Sequence, residues 1–88
     1  MSNSNYRILN SFKINFNKEV IALRFSWNND FLHDFKSFIT ISLKDLFIEK
    51  TNDRDNIDFY IKTSSSDKIY LSEKTATQII NEINNFYF

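Results

Sequence analysis

Large apolar residues alternate with polar ones from residue 8 to residue 27, and this alternation constrains the fold more than any other feature of the chain. The two apolar sets have opposite parity: Ile8, Phe12, Ile14 and Phe16, then Ile21, Leu23, Phe25 and Trp27. A two-residue turn at Asn17 and Lys18 brings both sets to one face of an antiparallel hairpin, with Leu9 as the exception. Asn17 tolerates the positive φ that a glycine usually provides in such a turn. The pattern therefore predicts a half-buried hairpin over residues 6–27.

Shorter alternations predict three further strands, over residues 36–43, 57–62 and 69–71. The last two are expected to pair with each other as a second hairpin. Residues 44–49 change parity, which fits either a strand with a bulge or a short helix beginning at Ser42. Residues 28–35 are predicted to be a loop, with a single helical turn capped by Asn28 or Asn29 as the alternative, and the polar residues 50–56 are predicted to be a second loop.

The last segment, residues 72–87, has the spacing of an amphipathic helix. Its apolar stripe consists of Ala76, Ile79, Ile80, Ile83 and Phe86. Ser72 is the predicted N-cap, and a capping box of Thr75 with Gln78 is the alternative. The sequence thus predicts an α+β fold, in which an antiparallel β-meander of about five strands carries one C-terminal amphipathic helix on one face. Residues 1–88 are expected to form a single domain, because no linker or repeat interrupts them.

The residue types that are missing exclude several classes of function. The chain has no glycine, so it lacks the loops that hold phosphates and the turn that presents a nucleophilic serine. It has no cysteine and a single histidine, which excludes thiol chemistry and the common zinc sites. No cofactor is therefore expected. No apolar run approaches the ~18 residues of a membrane helix, and the polar start lacks the pattern of a secretory signal, so a cytoplasmic, non-membrane protein is expected.

Two groups of residues are candidates for chemistry. Four acidic residues lie close together in the sequence: Glu49, Asp53, Asp55 and Asp58. Carboxylates at this density can hold a hard cation, but their spacing lacks the ligand positions of an EF-hand loop, so a solvated turn is expected and a metal-dependent hydrolase is the weakest hypothesis. His33, with Asp30 and Asp34 beside it, has no nucleophile in a recognisable arrangement. No catalytic or metal-ligating residue is therefore expected.

The net charge of zero conceals a split between two parts of the chain. Residues 1–27 carry four basic residues and one acid, whereas residues 28–88 carry seven basic and ten acidic residues. The basic residues of the first hairpin are predicted to lie on its polar outer face and at its turn: Arg7, Lys13, Lys18 and Arg24. This strip is either an ordinary solvated surface or a surface that binds phosphates or an acidic protein. Aromatic residues do not alternate with these charges, so no base-stacking platform is predicted.

Aromatic residues make up 17% of the chain. Several fall outside the predicted core positions: Tyr6, Phe38, Tyr60, Tyr70, Tyr87 and Phe88. Tyr60 and Tyr70 are predicted to point outward from the second hairpin and to form one patch. Aromatic anchors are typical of the centres of protein interfaces, and cross-strand pairing within the sheet is the alternative.

These patterns together predict a small non-enzymatic protein-binding module that occupies a partner's surface. The expected contact residues are Arg7, Lys13, Lys18, Arg24, Tyr60 and Tyr70. The abundance of Phe, Ile, Tyr, Asn and Lys, with no Gly or Pro, indicates an AT-rich genome, which favours a phage or mobile element and an inhibitor of a host defence protein, of the anti-CRISPR or anti-restriction type. The partner would be a host protein or a protein–nucleic acid complex, and a homodimer is also open. Direct binding of nucleic acid by the basic face of the first hairpin is the alternative hypothesis.

Overall fold

The computed structural model of the chain describes residues 6–27, 36–54, 57–63 and 68–88. Its regular elements are the strands β1 (Arg7–Asn15), β2 (Val20–Trp27), β3 (Lys36–Ser42), β4 (Ile48–Arg54), β5 (Ile57–Lys62) and β6 (Lys68–Leu71), and the helix α1 (Glu73–Tyr87). A short 3₁₀ helix, Leu43–Asp45, lies between β3 and β4.

The strands form one sheet in the order β3-β2-β1-β6-β5-β4. Neighbouring strands are antiparallel except β1 and β6, which are parallel. The predicted α+β fold, a mostly antiparallel sheet with one C-terminal helix packed on it, is confirmed. The sheet differs from the predicted meander because it has six strands and joins two three-stranded meanders through the parallel pair at its centre.

The additional strand is β4, which occupies most of the polar segment 50–56 that the composition predicts to be a loop. It pairs only with β5 and forms one edge of the sheet. An edge strand buries little surface, so polar residues such as Lys50 and Asn52 are compatible with it. Of the two alternatives for residues 44–49, the structure shows a short helix, followed by the beginning of β4.

The first hairpin follows the predicted register only in the half nearest its turn. Ile14 lies opposite Ile21 and Phe12 lies opposite Leu23, as the alternation predicts. Beyond them a bulge at Asn10 shifts β1 by one residue, so that Leu9 pairs with Phe25. The predicted pairing of Ile8 with Trp27 is therefore wrong, since Arg7 lies opposite Trp27. The bulge also explains why Leu9, the exception to the alternation, is buried in the core.

The turn of this hairpin is longer than predicted. Asn15 pairs with Val20, which leaves residues 16–19 as a four-residue loop rather than a two-residue one. The Glu19 N–H donates to the Phe16 carbonyl (3.3 Å), and Glu19 itself has a φ of 57°. The residue in the left-handed region is therefore Glu19 and not Asn17, and a glutamate there carries a steric cost that glycine avoids.

Replacing Glu19 with glycine is expected to raise the free energy of unfolding by about 0.5–1 kcal/mol, because it removes the clash of Cβ at positive φ. Urea denaturation of the purified protein measures the change. Lys18→Gly is the matched control, because Lys18 is in the same turn but is not at positive φ, and this change is expected to destabilise the protein. Equal destabilisation by both substitutions would contradict the account of the turn.

The connection between the two edge strands requires the sheet to curl. In a flat sheet of six strands the edges would be ~24 Å apart. Residues 43–47 join β3 to β4, and with three residues in a 3₁₀ helix they can reach roughly 16 Å. The Leu43 N–H donates to the Glu19 carbonyl (2.9 Å) and the Lys62 N–H donates to the Phe47 carbonyl (3.4 Å), which anchors both ends of the connection. The sheet therefore has an inner face, on the inside of the curl, and an outer face.

The inner face and α1 together form the hydrophobic core. Its buried members are Leu9, Ile21, Leu23, Phe25, Ile61, Ile69, Leu71, Ala76 and Ile79. The helix contributes Ala76 and Ile79, and it begins where the sequence predicts, because the Ser72 hydroxyl accepts a hydrogen bond from the Thr75 N–H (3.3 Å). Since α1 lies against the inner face, the described residues of the outer face are not covered by a helix.

Candidate functional site

The outer face of β1, β2 and β3 carries two of the predicted basic contact residues. Lys13 and Arg24 are both exposed there, and Arg24 lies opposite Ser11 of β1. Lys18 is exposed in the turn, where its N–H donates to the side-chain oxygen of Asn15 (3.1 Å). Three of the four predicted basic residues therefore lie on the surface of this hairpin.

Arg7, the fourth, is not on the exposed strip, so its predicted position is wrong. The bulge at Asn10 turns it to the inner face, where only 8% of it is exposed. Its guanidinium carbon lies 4.9 Å from the ring centroid of Phe25 and 6.0 Å from that of Trp27. Its Nε donates to the Lys68 carbonyl (3.3 Å). Arg7 therefore connects β1, β2 and β6 inside the fold.

An exposed aromatic ring, that of Phe38, lies beside the exposed cations Lys13 and Arg24. The sequence predicts that Phe38 lies outside the core, but it does not predict this position next to the cations. Phe38 of β3 lies directly opposite Arg24 of β2 and is 65% exposed. A shallow groove of about 440 Å³ follows this part of the outer face, and its lining includes Ser11, Lys13, Arg24 and Phe38. We call these four residues the basic groove. They combine two positive charges, a hydroxyl and a ring surface on three neighbouring strands.

Tyr60 and Tyr70 lie side by side on the outer face, but they do not form an exposed patch. Their ring centroids are 6.1 Å apart, and Tyr6 packs edge-on against Tyr70 at 5.5 Å. Tyr70 is buried and Tyr60 is half-buried, with the Lys68 ammonium 4.4 Å from its ring centroid. The Tyr60 hydroxyl donates to the Glu49 carboxylate. Both rings therefore point to the outer face next to each other, as the sequence predicts, but they are engaged in cross-strand pairing and are not presented as an exposed patch.

A second group of aromatic rings lies where the end of α1 meets the turn of the first hairpin, and the members on α1 and just after it are exposed. Phe16 stacks on Phe86 with the ring centroids 4.1 Å apart, and Tyr87 contacts both rings edge-on, at 6.0 Å and 5.0 Å. Phe88 follows and is 98% exposed, Phe86 and Tyr87 are also exposed, and Phe16 is half-buried. We call Phe16, Phe86, Tyr87 and Phe88 the aromatic tip. The alternation and the helix stripe assign Phe16 and Phe86 to the core, so only Tyr87 and Phe88 are predicted from the sequence to lie outside it.

A cavity of about 800 Å³ lies between the two edges of the curled sheet. Its lining includes Arg7, Ile39, Ser42, Asp45, Phe47 and Lys62. The lining contains both signs of charge, from Arg7 and Lys62 and from the carboxylate of Asp45, so it does not favour a ligand of either charge. The Arg7 guanidinium is already held by the aromatic rings and by the Lys68 carbonyl. The cavity therefore follows from the curl and does not by itself select a ligand.

The candidates for chemistry receive little support from the part of the chain that the structure describes. Glu49 is exposed and accepts the hydrogen bond from Tyr60. The side chains of Asp53 and Asp58, and all of Asp55, lie outside the described residues, as do His33, Asp30 and Asp34. Among the described residues, no three His, Cys, Asp or Glu side chains are grouped so that they could hold a metal ion. Within the same residues, no helix has the length and apolar character needed to cross a membrane.

Comparison with known proteins does not assign the chain to a family. No protein-family model, curated protein or solved structure matches it. The geometry of the basic groove and of the aromatic tip is therefore the basis for inferring function.

Proposed function

We propose that this protein is a non-enzymatic protein-binding module and that the aromatic tip is its contact surface. The observation that supports this proposal is the mutual ring contact of Phe16, Phe86 and Tyr87, with the fully exposed Phe88 next to Tyr87 in the sequence. Tyrosine and other large aromatic side chains dominate the energetic centres of protein interfaces.

The surroundings of the tip favour burial against a protein. The residues next to its rings in the sequence are Asn17, Asn84 and Asn85, which are exposed and uncharged. Charged side chains, among them Lys18 and Glu19 of the same turn, flank these rings, as in interfaces that have an apolar centre and a polar rim. The contacts among Phe16, Phe86 and Tyr87 already hold these rings in place, so little side-chain entropy is lost on binding.

The partner is proposed to be a protein. Inhibition of a host defence protein, the specific role that the amino-acid composition favours, stays a prediction. Self-association is the simplest form of the same proposal, because two tips can bury each other around a twofold axis.

Replacing Tyr87 and Phe88 together with serine is expected to weaken partner binding ~30-fold or more, because it removes about 2 kcal/mol of apolar contact from the centre of the interface. The test is quantitative affinity capture from a lysate of the source organism with tagged wild-type and variant protein, with sedimentation of the purified protein over a range of concentrations to measure self-association. The stacked pair of Phe16 and Phe86 remains in this variant, and a thermal melt checks that the fold is kept.

Phe47→Ser is the matched control, because Phe47 is an exposed phenylalanine in the connection between β3 and β4 and is not part of the tip. The proposal predicts that this control keeps the wild-type capture and the wild-type oligomeric state. If the tip variant captures the same proteins as the wild type, with equal strength and with no change in self-association, the aromatic tip is not the contact surface.

A further inference from the structure

We propose that the basic groove is a separate binding site and that its ligand is a single-stranded nucleic acid. The site is independent of the aromatic tip, since it lies on the outer face of β1, β2 and β3. Its central feature is the pair formed by Phe38 and Arg24, which face each other on adjacent strands. Phe38 and Arg24 are both exposed to solvent. A base can therefore stack on the Phe38 ring while its phosphate contacts the Arg24 guanidinium on the neighbouring strand.

The charge of these three strands matches a polyanion. Their sequences contain Arg7, Lys13, Arg24 and Lys36 and no aspartate or glutamate. Arg7 is buried, so the cations with described exposed side chains on these strands are Lys13 and Arg24. Lys18 extends the positive surface to the turn, beside the single acidic residue of the hairpin, Glu19. The phosphate backbone of a nucleic acid is attracted by such a surface, and its binding releases counterions.

Hydrogen-bonding groups lie in and beside the groove without adding negative charge. Ser11 lies opposite Arg24, and Thr40 is exposed on β3, two residues from Phe38 on the same face. On the same face, the Ser26 hydroxyl donates to the side-chain oxygen of Asn10 (3.4 Å), at the bulge. Hydroxyl and amide groups of this kind contact phosphate oxygens and base edges.

The shape of the surface favours a single strand over a duplex. In a duplex the bases are stacked on each other and their faces cannot reach a phenylalanine ring, whereas unpaired bases stack readily on aromatic side chains. The groove is shallow and lies on a six-stranded sheet, which is wider than the helix or two-stranded ribbon that a major groove admits. The inference therefore names single-stranded DNA or RNA, whose stacking and phosphate chemistry is the same.

The experiment measures fluorescence anisotropy of labelled oligothymidylate and oligouridylate of about 15 nucleotides, a length within the site size of small sheet-based binders. The wild-type protein is expected to bind both at low salt and to bind the corresponding duplex more weakly. Phe38→Ala is expected to weaken binding roughly 5- to 100-fold through the loss of base stacking. Arg24→Gln is expected to weaken binding and to make its salt dependence shallower, because one phosphate contact is lost.

Matched controls separate the groove from the general properties of the chain. Phe47 is 60% exposed, close to the 65% of Phe38, but it lies outside the groove. Lys44 is an exposed cation of the 3₁₀ helix. The proposal predicts that Phe47→Ala and Lys44→Gln bind oligonucleotide as the wild type does. Preference for oligouridylate or for oligothymidylate assigns the ligand to RNA or to DNA, and either supports the site.

Three results would overturn this inference. The first is the absence of oligonucleotide binding by the wild type at low salt. The second is unchanged binding by Phe38→Ala and Arg24→Gln, or equal weakening by the two controls. The third is that Phe38→Ala loses capture of a protein partner and not of oligonucleotide, which would make the groove a protein-docking surface. The tip variant, Tyr87→Ser with Phe88→Ser, is expected to keep oligonucleotide binding. If the groove does not bind oligonucleotide, the proposed protein binding by the tip can still be tested separately.

Discussion

Replacing Arg7 with alanine is expected to lower the free energy of unfolding by about 2–4 kcal/mol, which is a large share of the stability of a domain of this size. The guanidinium lies against Phe25 and near Trp27, and its Nε donates to the Lys68 carbonyl. The parallel pair of β1 and β6 is short, with only two registered residue pairs, Arg7 with Ile69 and Ile8 with Tyr70. Loss of Arg7 therefore weakens the junction between the two halves of the sheet. The melting temperature is expected to fall by roughly 10–20 °C.

Arg24 provides the matched control for this prediction. It is an arginine on the neighbouring strand, but its side chain is exposed on the outer face. Arg24→Ala is expected to change the free energy of unfolding by less than about 0.5 kcal/mol. Arg7→Met keeps much of the packing of the side-chain stem, so its melting temperature reports how much of the effect comes from the charge. A melting temperature of Arg7→Ala within experimental error of the wild type would contradict the placement of Arg7 inside the fold.

Replacing Ile79 with alanine is expected to lower the free energy of unfolding by about 2–5 kcal/mol. Ile79 is 0% exposed and packs in the core between α1 and the inner face of the sheet. Its loss leaves a cavity that the rigid sheet cannot fill, so the cost exceeds the transfer free energy of the methyl groups alone. Urea denaturation monitored by circular dichroism measures the change.

Ile80, the next residue, tests whether the helix faces the sheet as described. It is 42% exposed, and alanine has the higher helix propensity. Ile80→Ala is therefore expected to cost less than about 1 kcal/mol. Similar destabilisation by the two substitutions would mean that α1 is rotated about its axis relative to the sheet, and the exposure of the aromatic tip would then need to be reconsidered.

The features that the sequence predicts correctly are those carried by strong local patterns. The alternation on both sides of the first turn sets the pairs Ile14–Ile21 and Phe12–Leu23, and the spacing after Ser72 sets the helix and its cap. A bulge leaves no comparable signal, because it changes the parity at a single residue. Leu9, an apolar residue on the wrong parity, is the one sign of the bulge at Asn10, and without the bulge Arg7 is placed on the wrong face.

The edge strand and the functional surfaces depend on contacts that local patterns do not encode. β4 is polar because an edge strand does not require two buried neighbours. The position of Phe38 beside Arg24 depends on the register between β2 and β3. The eight residues 28–35 between these strands carry no turn motif that would set this register. Phe16 and Phe86 fit core positions in their own elements, but each is the last large apolar residue in its series, where the helix and the hairpin meet at the end of the core. Core-parity aromatic residues at the ends of strands and helices are therefore the sequence signal that could have predicted the aromatic tip.

The most direct test of the account is to measure the tip variant, Tyr87→Ser with Phe88→Ser, and the groove variant, Phe38→Ala, side by side in both binding assays. We expect the tip variant to lose capture of the protein partner and to keep binding of oligothymidylate or oligouridylate. We expect the groove variant to show the reverse, with both proteins folded. Equal loss of both activities in either variant, or retention of both in each, would contradict a module that binds through two separate surfaces.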